Sequence, residues 1–371
     1  MPLFGEDKKV RYAVVGLGWI AQEVILPAFE HAKKSQLVAL VTEDAKKAEE
    51  LGKKYEVSQV LDYDKYEALL RGGSIDAVYI TLPNHMHKDF TVRAAQAGIH
   101  VLCEKPMADT VAECEEMIRV AEQNKVKLMI AYRLHFEPAN LKAIETVQSG
   151  ALGEPRIFSS TFTQQVEPDN VRLKRHMGGG PLMDMGVYQI NAARYLFRDE
   201  PVEVVGVGAN SGDPRFREVH EMASAILRFP GDRLATFTCS FGATGADSYE
   251  VVGTKGDLKL EPGFTYQSEI KMRVKAGGKE HETTFGKVDQ FGGEIEYFSE
   301  CVLNNTEPEP NGYEGLADVR VIEALLQSMR SGAPVKLAPF EKRSHPGEGQ
   351  KKEKSPIKPQ NLVDAKSATA D

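Results

Sequence analysis

The residues of this 371-residue chain best suited to proton chemistry lie in the stretch GGGPLMDMGVYQINAARY, positions 178–195. Three glycines leave the backbone free to approach a ligand closely. Pro181 fits the first turn of a helix, where its missing N–H costs nothing. On that helix Asp184, Tyr188 and Asn191 recur at i, i+4 and i+7 and so share one face. Leu182, Met185, Ile190 and Ala193 supply a buried side. A carboxylate one turn before a tyrosine, at the mouth of a glycine loop, can serve proton transfer. The same pattern also fits an ordinary buried helix whose Tyr and Asp are hydrogen-bonded. A second candidate is Lys105, in Glu104-Lys105-Pro106, directly after a strand predicted over 99–103. There a lysine can polarise a substrate oxygen or help transfer its proton, and the glutamate beside it can anchor a cofactor.

Positioning these groups takes an α/β frame. Residues 10–15 form a short β-branched strand, followed at once by Gly16-Leu17-Gly18-Trp19-Ile20-Ala21 and a helical pattern. This is G-x-G-x-x-A in the strand–turn–helix context of a dinucleotide fingerprint. Gly16 allows the tight turn, Gly18 admits a pyrophosphate, and Ala21 permits close helix–strand packing. A second strand, 37–41, ends about 20 residues on, where a ribose-reading residue belongs. Glu43 or Asp44 there can bind the hydroxyls of NAD. Thr42 with Lys47 can instead hold the extra phosphate of NADP. The alternation continues through strands at 60–61, 75–81 and 127–131, with Leu82-Pro83-Asn84-His85-Met86-His87 making a turn at a strand's C-terminal end. His85-x-His87 has no carboxylate or thiolate partner at metal spacing, so no metal is expected.

After Tyr132 the pattern changes to strands joined by short polar turns, which implies a mostly antiparallel sheet. Arg172 sits in the charged loop 164–180, where it can face cofactor phosphates. From about Glu341 the chain is charged and proline-containing, which reads as a flexible tail. The expected division is 1–131 for dinucleotide binding, 132–340 for substrate and oligomer contacts, and 341–371 for the tail.

The net charge of -8 argues against nucleic-acid and anionic-membrane partners. No run is apolar enough for a signal peptide or a bilayer span, and the four cysteines show no metal-type pairing, so a cytoplasmic protein with reduced thiols is expected.

Together GLGWIAQ, LPNHMH, CEKPMA and GGGPLMDMGVYQIN resemble the glucose–fructose oxidoreductase / inositol dehydrogenase (Gfo/Idh/MocA) family from about Val10 to Pro339. Many members carry Asp-x-Gly-x-His-x-x-Asp in the second domain. The form here, Asp184-x-Gly186-x-Tyr188-x-x-Asn191, with AYRLHFEPAN at the domain junction, is similar to the glucose–fructose oxidoreductase branch. The resemblance implies a Rossmann doubly wound parallel sheet followed by an α+β domain with a large, mostly antiparallel open sheet, commonly used for homodimer or homotetramer contacts. It implies a nicotinamide cofactor, NADP in preference to NAD, although Glu43 stands where NADP-selective relatives often have glycine. Lys105 and Tyr188 would be catalytic, and Asp184 would orient or help bind a sugar hydroxyl. Gly16, Gly18, Trp19, Ile20, Thr42, Lys47, Tyr63, Leu82, Asn84, His87, Glu104, Lys105, Arg133 and Arg172 would contact the cofactor. The activity implied is hydride transfer between nicotinamide and a sugar (aldose, or related polyol or ketose) hydroxyl carbon. The alternatives are an NAD-dependent glycosidase of the same family and a non-catalytic NADP-binding regulator.

Overall fold

A computed structural model describes residues 8–341 and 344–369. Six strands, β1 (Val10–Val15), β2 (Ser35–Val41), β3 (Gln59–Leu61), β4 (Ala77–Ile80), β5 (His100–Glu104) and β6 (Leu128–Ala131), form a sheet in the order β3-β2-β1-β4-β5-β6. Every neighbouring pair is parallel. β4 and β6 are buried along their whole length, as strands covered on both faces must be. The helices joining them are α1 (Leu26–Ala28, continuing a wide turn at Ala21–Ile25), α2 (Ala45–Lys54), α3 (Tyr66–Arg71), α4 (His87–Gln96) and α5 (Val111–Gln123). Their starts follow capping chemistry: Asp44 accepts from the backbone N–H groups of Lys46 and Lys47, and Thr110 from that of Glu113. The strand order reverses between β1 and β4, and in open α/β sheets the crevice beside that point takes the ligand.

The second half is built on a nine-stranded sheet: β7 (Pro155–Gln165), β8 (Glu203–Ala209), β9 (Met222–Phe229), β10 (Arg233–Ser240), β11 (Gly242–Gly253), β12 (Gly256–Glu261), β13 (Ile270–Ala276), β14 (Lys279–Phe285) and β15 (Val335–Lys336). Its order is β14-β13-β12-β11-β7-β10-β9-β8-β15, and β7–β10 is its one parallel pair. Helices α6 (Pro138–Gln148), α7 (Val187–Phe197) and α9 (Gly312–Ser331) cover one face. The expected strands are present, and β14 and the two-residue β15 are additions. The first six residues of β14, Lys279–Thr284, are exposed, so this edge strand carries no alternation to read.

One helix crosses the expected division at residue 131. α8 (Gln290–Asn304) returns to the parallel sheet, where Phe291, Ile295 and Phe298 pack with Tyr12, Val14 and Leu40. Ser299 Oγ lies 2.8 Å from the buried Tyr12 hydroxyl and 2.7 Å from that of Ser35. The first sheet's core is therefore completed by residues nearly 300 positions downstream.

The stretch expected to be a flexible tail is packed against the molecule over its described part, 344–369. Gln350 donates to Glu309 O, Lys352 pairs with Glu300 at 2.8 Å, and Val363 exchanges two hydrogen bonds with the Gln22 side chain. These are polar, backbone-directed contacts, so a composition with few apolar residues still finds partners. Among the described residues no helix is long and apolar enough to cross a membrane. All four cysteines are unpaired and buried.

Because Ile295 is fully buried in the shared core, Ile295→Ala is expected to cost about 2–5 kcal/mol. Urea denaturation followed by circular dichroism would register this as a lower midpoint with an unchanged slope.

Candidate active site

The C-terminal ends of β1, β4 and β5 open into a cleft of about 550 Å³, walled on the far side by α7, its preceding turn and the end of β7. That volume suits a small molecule and part of a cofactor. Gly16 makes the turn under it at φ +93°, and a Cβ there would meet Leu82 Cδ2 at 2.9 Å and Thr81 O at 3.0 Å. No side chain fits without moving the β4 loop. At Gly18 a Cβ would meet nothing within 4 Å, so the space above the turn is open. The helical turn that follows has no side-chain cap at its start. An open glycine turn leading into an uncapped helix start fits a pyrophosphate.

The cleft's chemistry gathers around one carboxylate. The Lys105 ammonium donates to Asp184 Oδ1 and to the Asp184 carbonyl, both at 3.0 Å. Arg172 Nε donates to Asp184 Oδ2 at 2.8 Å. The same ammonium lies 4.7 Å from the centre of the Tyr188 ring. On the ring's other contacts, Arg133 Nε donates to the phenol oxygen at 3.2 Å while its guanidinium lies 4.9 Å from the ring centre. The lysine from one half and the tyrosine from the other thus face the same cavity. Arg133 is itself fixed by Gln290 Oε1 at 2.7 Å and by Phe264 O.

Burial alone would push the Asp184 carboxyl up, but the charges of Arg172 and Lys105 outweigh it and hold the group well below the ordinary aspartate range. For Lys105 the balance is similar: burial works against the ammonium, yet Asp184 leads the groups that raise its pKa. Glu104 is pushed up by burial, only partly offset by Lys105. Its Oε1 accepts from the Tyr79 hydroxyl at 3.0 Å.

The cleft gathers Gly18, Trp19, Ile20, Leu82, Asn84, Glu104, Lys105, Arg133, Arg172, Asp184 and Tyr188, all expected from sequence. Asn84 Nδ2 donates to Gly178 O at 2.8 Å and so ties the β4 loop to the glycine loop. Gly178 sits at φ +75°, and a Cβ would lie 2.2 Å from Asp109 Oδ1. Only glycine lets the two halves meet there.

Besides Gly16, which forms the turn beneath the cleft, four expected contacts lie outside its lining. His87 is fully buried, with Nε2 2.8 Å from Leu82 O and Nδ1 2.9 Å from Pro106 O. It joins the two loops that carry Leu82 and Lys105, with no ring atom left to face a ligand. Tyr63 packs edge-on against Phe90. Thr42 Oγ1 accepts from the Asp44 N–H, and Lys47 pairs with Asp44 at 3.5 Å. Asp44 is therefore engaged as the cap of α2, while Glu43 is exposed. Asn191, read as sharing the face of Asp184 and Tyr188, points inward instead. Its amide bonds Glu314 and Asp318, and its oxygen lies 2.8 Å from His135 Nε2. The wide turn Leu182–Gly186 that opens this helix departs from regular α spacing. Sequence reasoning did not find Phe162, Tyr266 or Ser367–Thr369, which also line the cleft. None of them sits in a motif.

A parallel sheet with a glycine turn beneath an open space, and a Lys–Tyr pair above it, is the arrangement of a nicotinamide-dinucleotide oxidoreductase. The family models agree: "Oxidoreductase family, NAD-binding Rossmann fold" matches residues 10–132 and "GFO/IDH/MocA C-terminal domain" matches 140–259. The chain belongs to the Gfo/Idh/MocA family and is an NAD(P)-dependent oxidoreductase. It is 33% identical over 339 residues to D-xylose 1-dehydrogenase (NADP(+)) of Haloarcula marismortui, a match covering 89% of this chain and 94% of that one. Among solved structures it is similar to the aldose-aldose oxidoreductase of Caulobacter crescentus complexed with glycerol, at 38% identity and a TM-score of 0.85, covering 89% of this chain and all of that one. It is also similar to a 3-ketoreductase of Actinomadura kijaniata in complex with NADP and TDP-benzene, at 27% identity and a TM-score of 0.79, covering 86% and 98%.

The depressed carboxyl of Asp184 makes stability pH-dependent in a stated direction. Its contribution is complete above the unfolded value of about 4 and is lost as pH falls through the lower folded value. Wild-type urea midpoints should therefore drop between about pH 4 and pH 2, where those of Asp184→Asn change less. At neutral pH that variant should be the less stable of the two, because Lys105 and Arg172 keep their charges without their shared partner.

Proposed function

We propose that this chain transfers a hydride between a nicotinamide and a hydroxyl-bearing carbon of a sugar, an aldose or a related polyol or ketose. The observation that carries the reading is the convergence of Lys105 Nζ on the Tyr188 ring at 4.7 Å beside the Asp184 carboxylate. The relatives support it, since several are named for sugars or sugar nucleotides.

Gly16, Gly18, Trp19 and Ile20 would hold the pyrophosphate, and Leu82, Asn84, Glu104 and Lys105 the nicotinamide half. When bound, NAD(P) supplies the hydride acceptor or donor. Tyr188 exchanges the proton of the reacting hydroxyl. Its oxygen accepts from Arg133, which leaves the phenolic O–H to point toward substrate. Lys105, already bonded to Asp184, brings positive charge to the oxygen whose charge changes during reaction. Asp184 has both oxygens engaged by cations and remains ionised, so it can accept from a second sugar hydroxyl and fix the ring. Arg172 steadies Asp184 from the far side. NADP is the favoured cofactor, with Thr42 and Lys47 near the end of β2 as the groups for the extra phosphate.

The open face of the nine-stranded sheet presents Ile157, Val207, Ile226 and Leu234, each more than 40% exposed. These apolar side chains stand among the serines and threonines of the same face, Ser159, Thr161, Ser224, Thr236 and Thr238, and a second copy of this chain would cover them. A homodimer or homotetramer through this sheet is part of the proposal.

Tyr188→Phe should lower single-turnover cofactor reduction with an aldose panel by about 10²–10⁴-fold while leaving nucleotide binding nearly intact. An unimpaired hydride step would remove Tyr188 from the reaction. For the assembly, Val207→Glu with Ile226→Lys should move the sedimentation coefficient to that of a monomer. An unchanged coefficient would refute the sheet-mediated interface.

A further inference from the structure

The described segment 344–369 ends in the cleft. Its path there is held at both walls. On the Rossmann side, Gln22 follows the glycine fingerprint directly and is 1% exposed. The Gln22 amide donates to Val363 O at 2.9 Å and accepts from Val363 N–H at 2.8 Å, while also donating to Leu17 O. A buried side chain thus imitates a strand partner for one residue of the segment. Beside it, Lys46 at the start of α2 pairs with Asp364 at 3.0 Å. On the other side, Glu167 N–H donates to Ala368 O at 2.9 Å, and Val166 pairs with Thr369 as an antiparallel bridge. Between these anchors, Ser367, Ala368 and Thr369 line the cavity. The family models stop at residue 259 and assign nothing here.

We propose that residues 363–369 form a third wall of the dinucleotide cleft, a strap tying the first βα turn to the end of β7 across the bound cofactor. This rests on the reading that the glycine turn binds NAD(P). The two anchors sit on different halves of the molecule, so a nucleotide held at Gly18 and reaching Lys105 cannot leave outward without parting one of them. The strap slows entry and release together and makes the holoenzyme retain its nucleotide between turnovers. The exposed Lys46–Asp364 pair contributes little. The buried Gln22–Val363 pair is the strong anchor, because an opened strap leaves the Gln22 amide without its partner.

The test uses the full chain loaded with NADPH, with release followed by fluorescence after a chase of excess NADP. Val363→Pro deletes the N–H that Gln22 accepts from, and Gln22→Leu removes the amide that holds Val363 from the other side. Each variant should release NADPH about tenfold faster than wild type, with faster association as well. Release within twofold of wild type in both variants would overturn the strap. Hydrogen exchange of wild-type amides over 363–369 gives a second readout that needs no variant. Protection should rise when NADPH is added, and unchanged protection would overturn the proposal. If the wild-type chain bound neither NADPH nor NADH, the nucleotide reading itself would fall. Nucleotide binding with unaltered release would sink the strap alone.

Discussion

One carboxylate holds the working centre together. Asp184 receives Lys105 from the parallel sheet and Arg172 from the loop before its own helix. Without it, two cations would stand close together in a largely buried space, which is costly. With it, the lysine's position relative to Tyr188 is fixed by a charge-assisted bond rather than by the rotamers of a long flexible chain. The two halves of the chain are joined here by electrostatics and again at Asn84–Gly178 by a backbone carbonyl. The cleft exists because both joints close.

Around that carboxylate the molecule spends its polar groups on geometry. His87 bridges the loops carrying Leu82 and Lys105. Arg133 is gripped by Gln290 and Phe264 before it reaches the phenol. The Tyr79 hydroxyl sits between Glu104 Oε1 at 3.0 Å and Glu294 Oε2 of α8 at 3.2 Å, with its one proton shared between them. Each functional group is thus positioned by a neighbour with no room to move, as a reaction needing sub-ångström alignment requires.

Much of this was legible in the sequence, and the reason differs by region. The parallel sheet announced itself because strands buried on both faces are uninterrupted apolar runs, each ending in turn residues. Lys105 and Glu104 were legible because a strand end in such a sheet is where ligands lie. His87 was misplaced because residue type and position say nothing about which carbonyls the ring will find. Asn191 was misplaced because an irregular opening turn changes which side of the helix a residue shows. β14 was invisible because an edge strand with no buried face has no period. The segment after 341 looked unfolded because hydropathy cannot register a glutamine pairing with a backbone or lysines meeting the glutamates of α8.

The return of α8 to the first sheet bears on how the chain matures. The Tyr12 hydroxyl meets Ser299 of α8 at 2.8 Å, and the β1 face, covered in part by Val24, Ile25 and Phe29, is completed by Phe291, Ile295 and Phe298. During synthesis the part of that face which α8 covers therefore stays exposed until most of the second half has left the ribosome. Its completion is a late event of high sequence separation, a class of contact that forms slowly. A newly made chain of this design passes through a vulnerable interval in which chaperones have an obvious surface to hold. An excised N-terminal piece would remain in that interval permanently.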